Sequence, residues 1–231
     1  MMLEIRLIAC AVMLVLASIM DIKKREISDK IWISFAGLGL LLTTMEVSNG
    51  SINIVQYTIG IAITAPIAYA IYRTGLFGGA DAKALVAIAV LVPFYDMPFK
   101  IHGLTSITVL TNATILTFAH IVHNVVRNSI DLAKGKTVFE GFEESGLRKA
   151  FAFIMGFKAN SPSGYLFAME NNYSGRRRFN FRPAGYDEYV SSSSSNLWVT
   201  PALPFIVYMA FGFLLMIIFG DLFALIFANI F

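Results

Sequence analysis

The chain is poor in charged residues, which make up 14% of its 231 positions, whereas soluble domains carry about 25%. It has one cysteine, Cys10, so an intrachain disulfide framework or a multi-cysteine zinc site is excluded. Its net charge of +3 is small, so the distribution of the charges matters more than their sum. Apolar residues account for 57% of the chain, including 20 phenylalanines. This composition excludes an ordinary soluble domain and predicts a membrane protein.

Six apolar segments approach the length of about 20 residues that a membrane-spanning helix needs. They are Leu3–Met20, Ile31–Met45, Ile54–Tyr72, Ala84–Phe99, Leu104–Val126 and Pro201–Phe231. A signal peptide is the alternative for the first segment, but Glu4 and Arg6 leave no net positive charge before it. The expected fold is therefore mainly α, a polytopic membrane protein with six transmembrane helices.

Basic residues are concentrated in alternate loops. The loop Asp21–Lys30 carries four of them, whereas Thr43–Asn53 carries none. Arg73 and Lys83 flank the third loop, and the fifth connection is rich in Lys and Arg. The positive-inside rule then places these three loops in the cytoplasm and both termini outside.

The polar stretch between the fifth and sixth segments predicts a small α+β cytoplasmic domain. Residues 143–157, "EESGLRKAFAFIMGF", have helical spacing of apolar residues, and 164–182 indicate two short strands around an Asn/Ser/Gly turn. Serines at 191–195 indicate a flexible linker. The predicted divisions are 1–127 for the first five helices, 128–200 for the soluble domain and 201–231 for the last helix. The basic run "RRRFNFR" favours anionic lipid head groups over nucleic acid.

Two aspartates share one side and one depth of this topology. Asp21 ends the first span and Asp81 begins the fourth. Ionisable groups at membrane depth are costly and indicate function. The alternatives are a helix cap for Asp81 and an ordinary loop charge for Asp21. Two carboxylates of different protonation are what acid–base hydrolysis requires. Helix dipoles favour Asp81 as the base and Asp21 as the acid, although the basic residues after Asp21 oppose this.

Three short motifs resemble those of intramembrane aspartyl proteases. "GGAD", ending at Asp81, resembles the G-x-G-D motif, with Ala80 in place of its second glycine. "DIKKREIS", from Asp21, resembles the first aspartate segment of type IV prepilin peptidases, with Ser28 where proline is usual. "PALPF", from Pro201, is similar to the P-A-L motif of presenilin-type enzymes. The chain most resembles the archaeal preflagellin peptidases of this superfamily, because it lacks the multi-cysteine insertion common in the bacterial enzymes.

The resemblance implies an aspartic endopeptidase of the membrane that removes a short basic leader from preflagellin or pilin-like precursors at the cytoplasmic membrane edge. Asp21 and Asp81 would be the catalytic pair, and the chemistry needs neither metal nor cofactor. The backbone support would come from Gly78, Gly79, Ala80, Pro201, Ala202 and Leu203. Acidic Glu26 and Asp29 would attract the leader, with simple solvated charges as the alternative.

A small transporter or channel is the main alternative, with the two aspartates coupling protons or cations. Polar residues of the fifth segment, including His120 and His123, would then line a pathway or bind a metal. Hydrogen bonding between helices is the simpler explanation for such residues. A scaffold subunit that docks partners through its polar region is a third possibility.

Overall fold

The structure is a computed structural model, and it describes residues 2–75, 77–160, 165–173, 176–181 and 196–230. It divides into two compact units. The helical unit comprises Met1–Leu116 and Pro204–Phe231, and the mixed unit comprises Thr117–Leu203. The helices are α1 (Met2–Lys24), α2 (Asp29–Ser48), α3 (Ile54–Arg73), α4 (Gly79–Leu91), α5 (Thr105–Ala133), α6 (Gly146–Met155), α7 (Phe205–Phe219) and α8 (Leu222–Ile230).

Several of these helices have the length and composition of membrane spans. Within the described residues, α1, α2, α3 and α5 qualify, and the bent pair α7 and α8 makes a fifth candidate. Large apolar side chains such as Ile8, Val15 and Ile33 are more than half exposed on the outer surfaces of these helices. Water would disfavour so much exposed apolar surface, whereas lipid accommodates it. The predicted polytopic, mainly helical membrane protein is confirmed, with four or five spans by this measure.

The fourth apolar segment forms a shorter helix than the sequence predicts. Helix α4 ends at Leu91, not at Phe99, and its 13 residues fall short of the length of a candidate span. Pro93 explains the end, because a proline disfavours helical backbone at the residue before it. The chain then turns back, with the Tyr95 N–H donating to the Gly103 carbonyl at 3.2 Å.

The last apolar segment is broken. Helix α7 ends before Gly220, whose φ is +83°, and α8 continues at an angle of 48°. The Asn112 side chain stabilises this break, since its Nδ2 donates to the Gly220 carbonyl at 3.0 Å and its Oδ1 accepts from the Leu222 N–H at 2.9 Å. The predicted single helix over Pro201–Phe231 is therefore two helices that begin at Phe205.

Helix α4 is the buried centre of the helical unit. Its residues from Ala84 to Leu91 are buried except Val86, which is partly buried, and it packs against α1, α2, α3 and α7. Gly39 of α2 lets the two backbones approach, because a Cβ there would lie 2.9 Å from the Val90 carbonyl oxygen. Small residues at such crossings are typical of membrane helices.

A buried arginine holds the carboxyl end of α4. Arg6 is 3% exposed, and its Nη1 donates to the Leu91 carbonyl at 2.6 Å. Its Nε donates to Glu46 at 2.9 Å, and its Nη2 donates to the Thr43 hydroxyl at 2.9 Å. These bonds join the start of α1, the end of α2 and the end of α4 at one level of the bundle.

The mixed unit contains the predicted α+β elements. Its strands are β1 (Phe157–Ala159), β2 (Leu166–Ala168), β3 (Glu170–Tyr173), β4 (Arg176–Phe179) and β5 (Leu197–Pro201). They form an antiparallel sheet in the order β1-β5-β2 and a β3–β4 hairpin. Trp198 is fully buried at the core, where its Nε1 donates to the Ala152 carbonyl at 3.2 Å.

Helix α6 and the β3–β4 hairpin confirm the amphipathic helix and the paired strands that the sequence predicts. The predicted serine linker at 191–195 lies outside the described residues. The α6 residues Leu147 and Phe151, expected on an apolar face, are 70% and 51% exposed. That face is therefore not part of the core of the mixed unit.

Candidate active site

Asp21 lies in the last turn of α1 and is partly buried. Its Oδ1 is 3.8 Å from Nη1 of Arg25, and the two side chains are 14% and 15% exposed. An opposite charge at this distance stabilises the ionised form of a carboxyl group. Burial of Asp21 favours the protonated form that was expected of the acid, and the contact with Arg25 opposes this effect.

Asp81 lies in the first turn of α4 and is 9% exposed. Its Oδ2 accepts a hydrogen bond from the Gly78 N–H at 2.9 Å. Asp81 is the third residue of α4, whose N-cap is Gly78, so Asp81 is not the N-cap itself but accepts the hydrogen bond from the N–H of that residue. This bond uses one of the two carboxyl oxygens of Asp81. A role in stabilising the helix start does not explain why a second acid, Asp21, lies near enough to act on it.

The structure brings these two acids together from different helices. The Asp21 carboxylate and the Arg25 guanidinium both lie near enough to Asp81 to act on it electrostatically. No hydrogen bond joins the two carboxyl groups, although both belong to the described part of the chain.

The glycine-rich turn before Asp81 is anchored by an aromatic contact. Gly75 has a φ of +71°, which favours glycine, whereas Gly78 has an ordinary φ of −72°. The rings of Phe77 and Phe205 are 4.2 Å apart, so the turn packs on the first residue of α7. Gly79 and Ala80 form the first turn of α4. The contact between Phe77 and Phe205 was not predicted. The sequence indicates it only in that Phe77 precedes the "GGAD" motif and Phe205 ends the "PALPF" motif.

The other predicted site residues are Glu26, Asp29 and the segment from Pro201 to Leu203, and their observed contacts are with residues other than Asp21 and Asp81. Asp29 pairs with Lys83 of α4 at 2.5 Å, and both side chains are exposed. Glu26 is exposed in the loop between α1 and α2. Pro201 pairs with Leu166 at the end of β5, and the Ala202 N–H donates to the Tyr165 carbonyl at 3.0 Å. Pro201, Ala202 and Leu203 belong to the mixed unit, whereas Asp21 and Asp81 belong to the helical unit.

The histidines of α5 do not form a metal site with other side chains. Across residues 2–75, 77–160, 165–173, 176–181 and 196–230, no group of three His, Cys, Asp or Glu side chains is arranged to hold a metal ion. His120 and His123 are near enough to interact electrostatically, but they lack a third ligand there.

Comparison with known proteins identifies the family. Residues 8–122 match the type IV leader peptidase family, peptidase A24, and residues 143–222 match the archaeal peptidase A24 C-terminus type II family. The chain belongs to the type IV leader peptidase family. Its relatives include the preflagellin peptidase of Methanococcus maripaludis, 29% identical over 84% of this chain and 86% of the relative. That of Methanocaldococcus jannaschii is 27% identical over 88% of each chain, and that of Methanococcus voltae is 41% identical over 37% of each.

Membership of the leader peptidases confirms the predicted enzyme class. The first match covers both aspartates and the glycine turn, and the second covers the mixed unit from Glu143 onward and most of the last helices. A protease is the function that fits these matches, and the transporter alternative is not favoured. An aspartic mechanism is consistent with the A24 family.

Proposed function

We propose that this leader peptidase removes the short basic leader from preflagellin or pilin-like precursors, with Asp21 and Asp81 as its catalytic pair. The observation that carries the proposal is the meeting of two acids, 60 residues apart in the sequence, at the end of α1 and the start of α4. Asp21 is the last acid of α1, and Asp81 is the first of α4. Hydrolysis by two carboxyl groups requires such a pair within reach of one water molecule.

The chemistry follows from the difference in protonation between the two groups. The ionised carboxylate takes a proton from the water, and the water oxygen attacks the carbonyl carbon of the scissile peptide bond. The protonated carboxyl donates a hydrogen bond to the carbonyl oxygen, on which negative charge develops. The leaving amine then receives a proton from the group that acted as base.

We propose six membrane crossings, and two distances along the helices support α4 as one of them. On α1, Arg6 and Asp21 are separated by 15 residues, or about 22 Å. On α4, Asp81 and Leu91 are separated by 10 residues, or about 15 Å. Since Arg6 binds the Leu91 carbonyl while Asp21 acts on Asp81, α4 crosses most of the layer that α1 crosses. The short α4 then counts as the fourth crossing, and the bent α7–α8 pair counts as the sixth.

This topology places both termini outside the cell and the catalytic pair at the cytoplasmic face of the cell membrane. Residues 1–127 hold the first five crossings, 128–200 form a cytoplasmic domain and 201–231 return through the lipid. The test uses Ser28→Cys and Ser51→Cys, each with Cys10→Ser, since both serines are exposed in loops. In intact cells, an impermeant maleimide labels Ser51→Cys at once and Ser28→Cys only after permeabilisation. The reverse order refutes the orientation.

Two acids beside the pair are the proposed attraction for the basic leader. Lys83 already balances the charge of Asp29, so Glu26 carries the larger share. Exposed charges act mainly on association and are screened by salt. Glu26→Lys therefore raises KM at low salt and has little effect at high salt. Normal processing by Glu26→Lys at low salt refutes the role of this acid.

Backbone segments next to the motifs are the proposed support of the site. Gly78 and Gly79, with Ala80, position Asp81, and Pro201, Ala202 and Leu203 lead the chain toward Phe205, which packs on Phe77. Phe205→Leu is the test, because it weakens this contact and leaves both acids in place. We expect a several-fold loss of cleavage with the helices intact by circular dichroism. Unchanged cleavage contradicts the supporting role.

The decisive experiment is cleavage of a purified preflagellin precursor in detergent by the wild type, Asp21→Asn and Asp81→Asn. Asparagine keeps an oxygen that accepts from the Gly78 N–H, so the start of α4 is preserved while the carboxylate is lost. General acid–base groups contribute at least about 100-fold, so each variant loses at least that factor. Asp96→Asn is the matched control and retains cleavage. Full cleavage by either variant of the pair refutes the mechanism.

A further inference from the structure

Arg25 is held beside the catalytic pair by an uncommon backbone conformation. It follows the end of α1 with a φ of +55°, and its N–H donates to the Asp21 carbonyl oxygen at 3.0 Å. Glycine is the usual residue at such a left-handed position after a helix, because other side chains are disfavoured there. The chain nevertheless keeps an arginine at this position, and the turn directs its side chain back along the helix to Asp21.

The Arg25 charge acts on both acids of the pair. Its Nη1 is 3.8 Å from Oδ1 of Asp21, and its side chain is 15% exposed, so water screens the contact only in part. Both Asp21 and Arg25 act on Asp81, and Arg25 also acts on Asp21. The neighbouring Lys23 and Lys24 are exposed, and Lys83, two residues after Asp81, pairs with Asp29.

We infer that Arg25 is a positioning residue that sets the pH range in which Asp21 and Asp81 together carry a single negative charge. The inference rests on the proposed function of this pair. Burial and mutual repulsion favour protons on both carboxyl groups, whereas the guanidinium favours their loss. The pair is active while it holds one proton, so cleavage falls at low pH when both groups are protonated and at high pH when both are ionised.

The test is the pH profile of kcat/KM for precursor cleavage. In Arg25→Gln, each carboxyl group gives up its proton less readily, so both limbs of the profile move to higher pH. We expect a movement of about one pH unit, which is the lower end of the effect that an opposite charge has on a nearby carboxyl group. Arg25→Gly gives the same shift and adopts the φ of +55° more easily, so it stays folded. Arg25→Lys keeps the charge and returns the limbs toward the wild-type positions. Lys24→Gln, the matched control, leaves them in place.

The outcomes separate this inference from the proposed function. Limbs that stay in place in Arg25→Gln and Arg25→Gly overturn it, as does an equal shift in Lys24→Gln. A folded Arg25→Gly that cleaves at no pH also overturns it, because a tuning charge moves the optimum and does not abolish cleavage. Failure of the proposed function has a different signature, which is cleavage by Asp21→Asn or Asp81→Asn.

Discussion

The contact between α2 and α4 leads to a prediction about two glycines on the same helix. At Gly39, an added Cβ would lie 2.9 Å from the Val90 carbonyl oxygen and 3.1 Å from the Leu91 Cα. Both neighbours are backbone atoms, so no side-chain rotation relieves the contact. The helices must separate by roughly 0.5 Å to restore ordinary van der Waals distances. Gly37, two residues earlier, has no atom within 4 Å of the corresponding position.

Gly37→Ala is therefore the matched control for Gly39→Ala. Both substitutions gain the helix propensity of alanine, up to about 1 kcal/mol, so the difference between them isolates the packing. Overpacking costs about 1–3 kcal/mol, and we expect Gly39→Ala to be less stable than Gly37→Ala by that amount. The displacement also disturbs the Arg6 bond to the Leu91 carbonyl, so cleavage decreases with stability.

The assay is thermal unfolding in detergent, and unfolding is monitored by the reaction of a fluorogenic maleimide with Cys10. Cys10 is the one cysteine of the chain and is completely buried, so its reaction reports the opening of the helical unit. A difference of this size lowers Tm by several degrees in a protein of this length. Equal Tm values for the two variants refute the close approach of α2 and α4.

Three further changes test the polar contacts of the structure. Arg6→Met leaves the Glu46 carboxylate without its cation and costs about 3–5 kcal/mol of unfolding free energy by the same assay; wild-type stability contradicts the buried contact. Asn112→Leu removes the bonds that hold the α7–α8 break and costs about 2–4 kcal/mol; a Tm equal to that of the wild type contradicts this role. Lys83→Ala removes an exposed ion pair with Asp29 and changes stability by less than about 1 kcal/mol; a larger loss shows that the pair does more than the structure indicates.

The general arrangement was predictable from the sequence because it depends on apolar length and on the positions of charges. The ends of the apolar segments placed Asp21 and Asp81 on one side, and the structure brings them together. The helical spacing at 146–155 and the Asn/Ser/Gly turn within 164–182 likewise predicted helix α6 and a pair of strands. Each of these features depends on residues that are close together in the sequence, so patterns within a short segment predict it.

The remaining features depend on contacts between distant residues. Pro93 indicates the early end of α4 in the sequence. Nothing in the sequence of α4 indicates that this helix is buried at the centre of the helical unit. Arg6 and Glu46 were assigned to the outer side separately, and their pairing across α1 and α2 follows only from the packing. The break at Gly220 depends on Asn112, more than 100 residues earlier in the chain. No periodicity within one segment contains that information.

The most direct test of the central claim is the proximity of residues 21 and 81 in the folded protein. In a Cys10→Ser background, Asp21→Cys combined with Asp81→Cys is treated in membranes with a short bifunctional maleimide, and the linked peptides are measured by mass spectrometry. Asp21→Cys with Asp96→Cys is the control, because Asp96 lies beyond the far end of α4. The account predicts efficient linkage of 21 to 81 and none of 21 to 96. Absence of the first link, or equal yields of both, contradicts it.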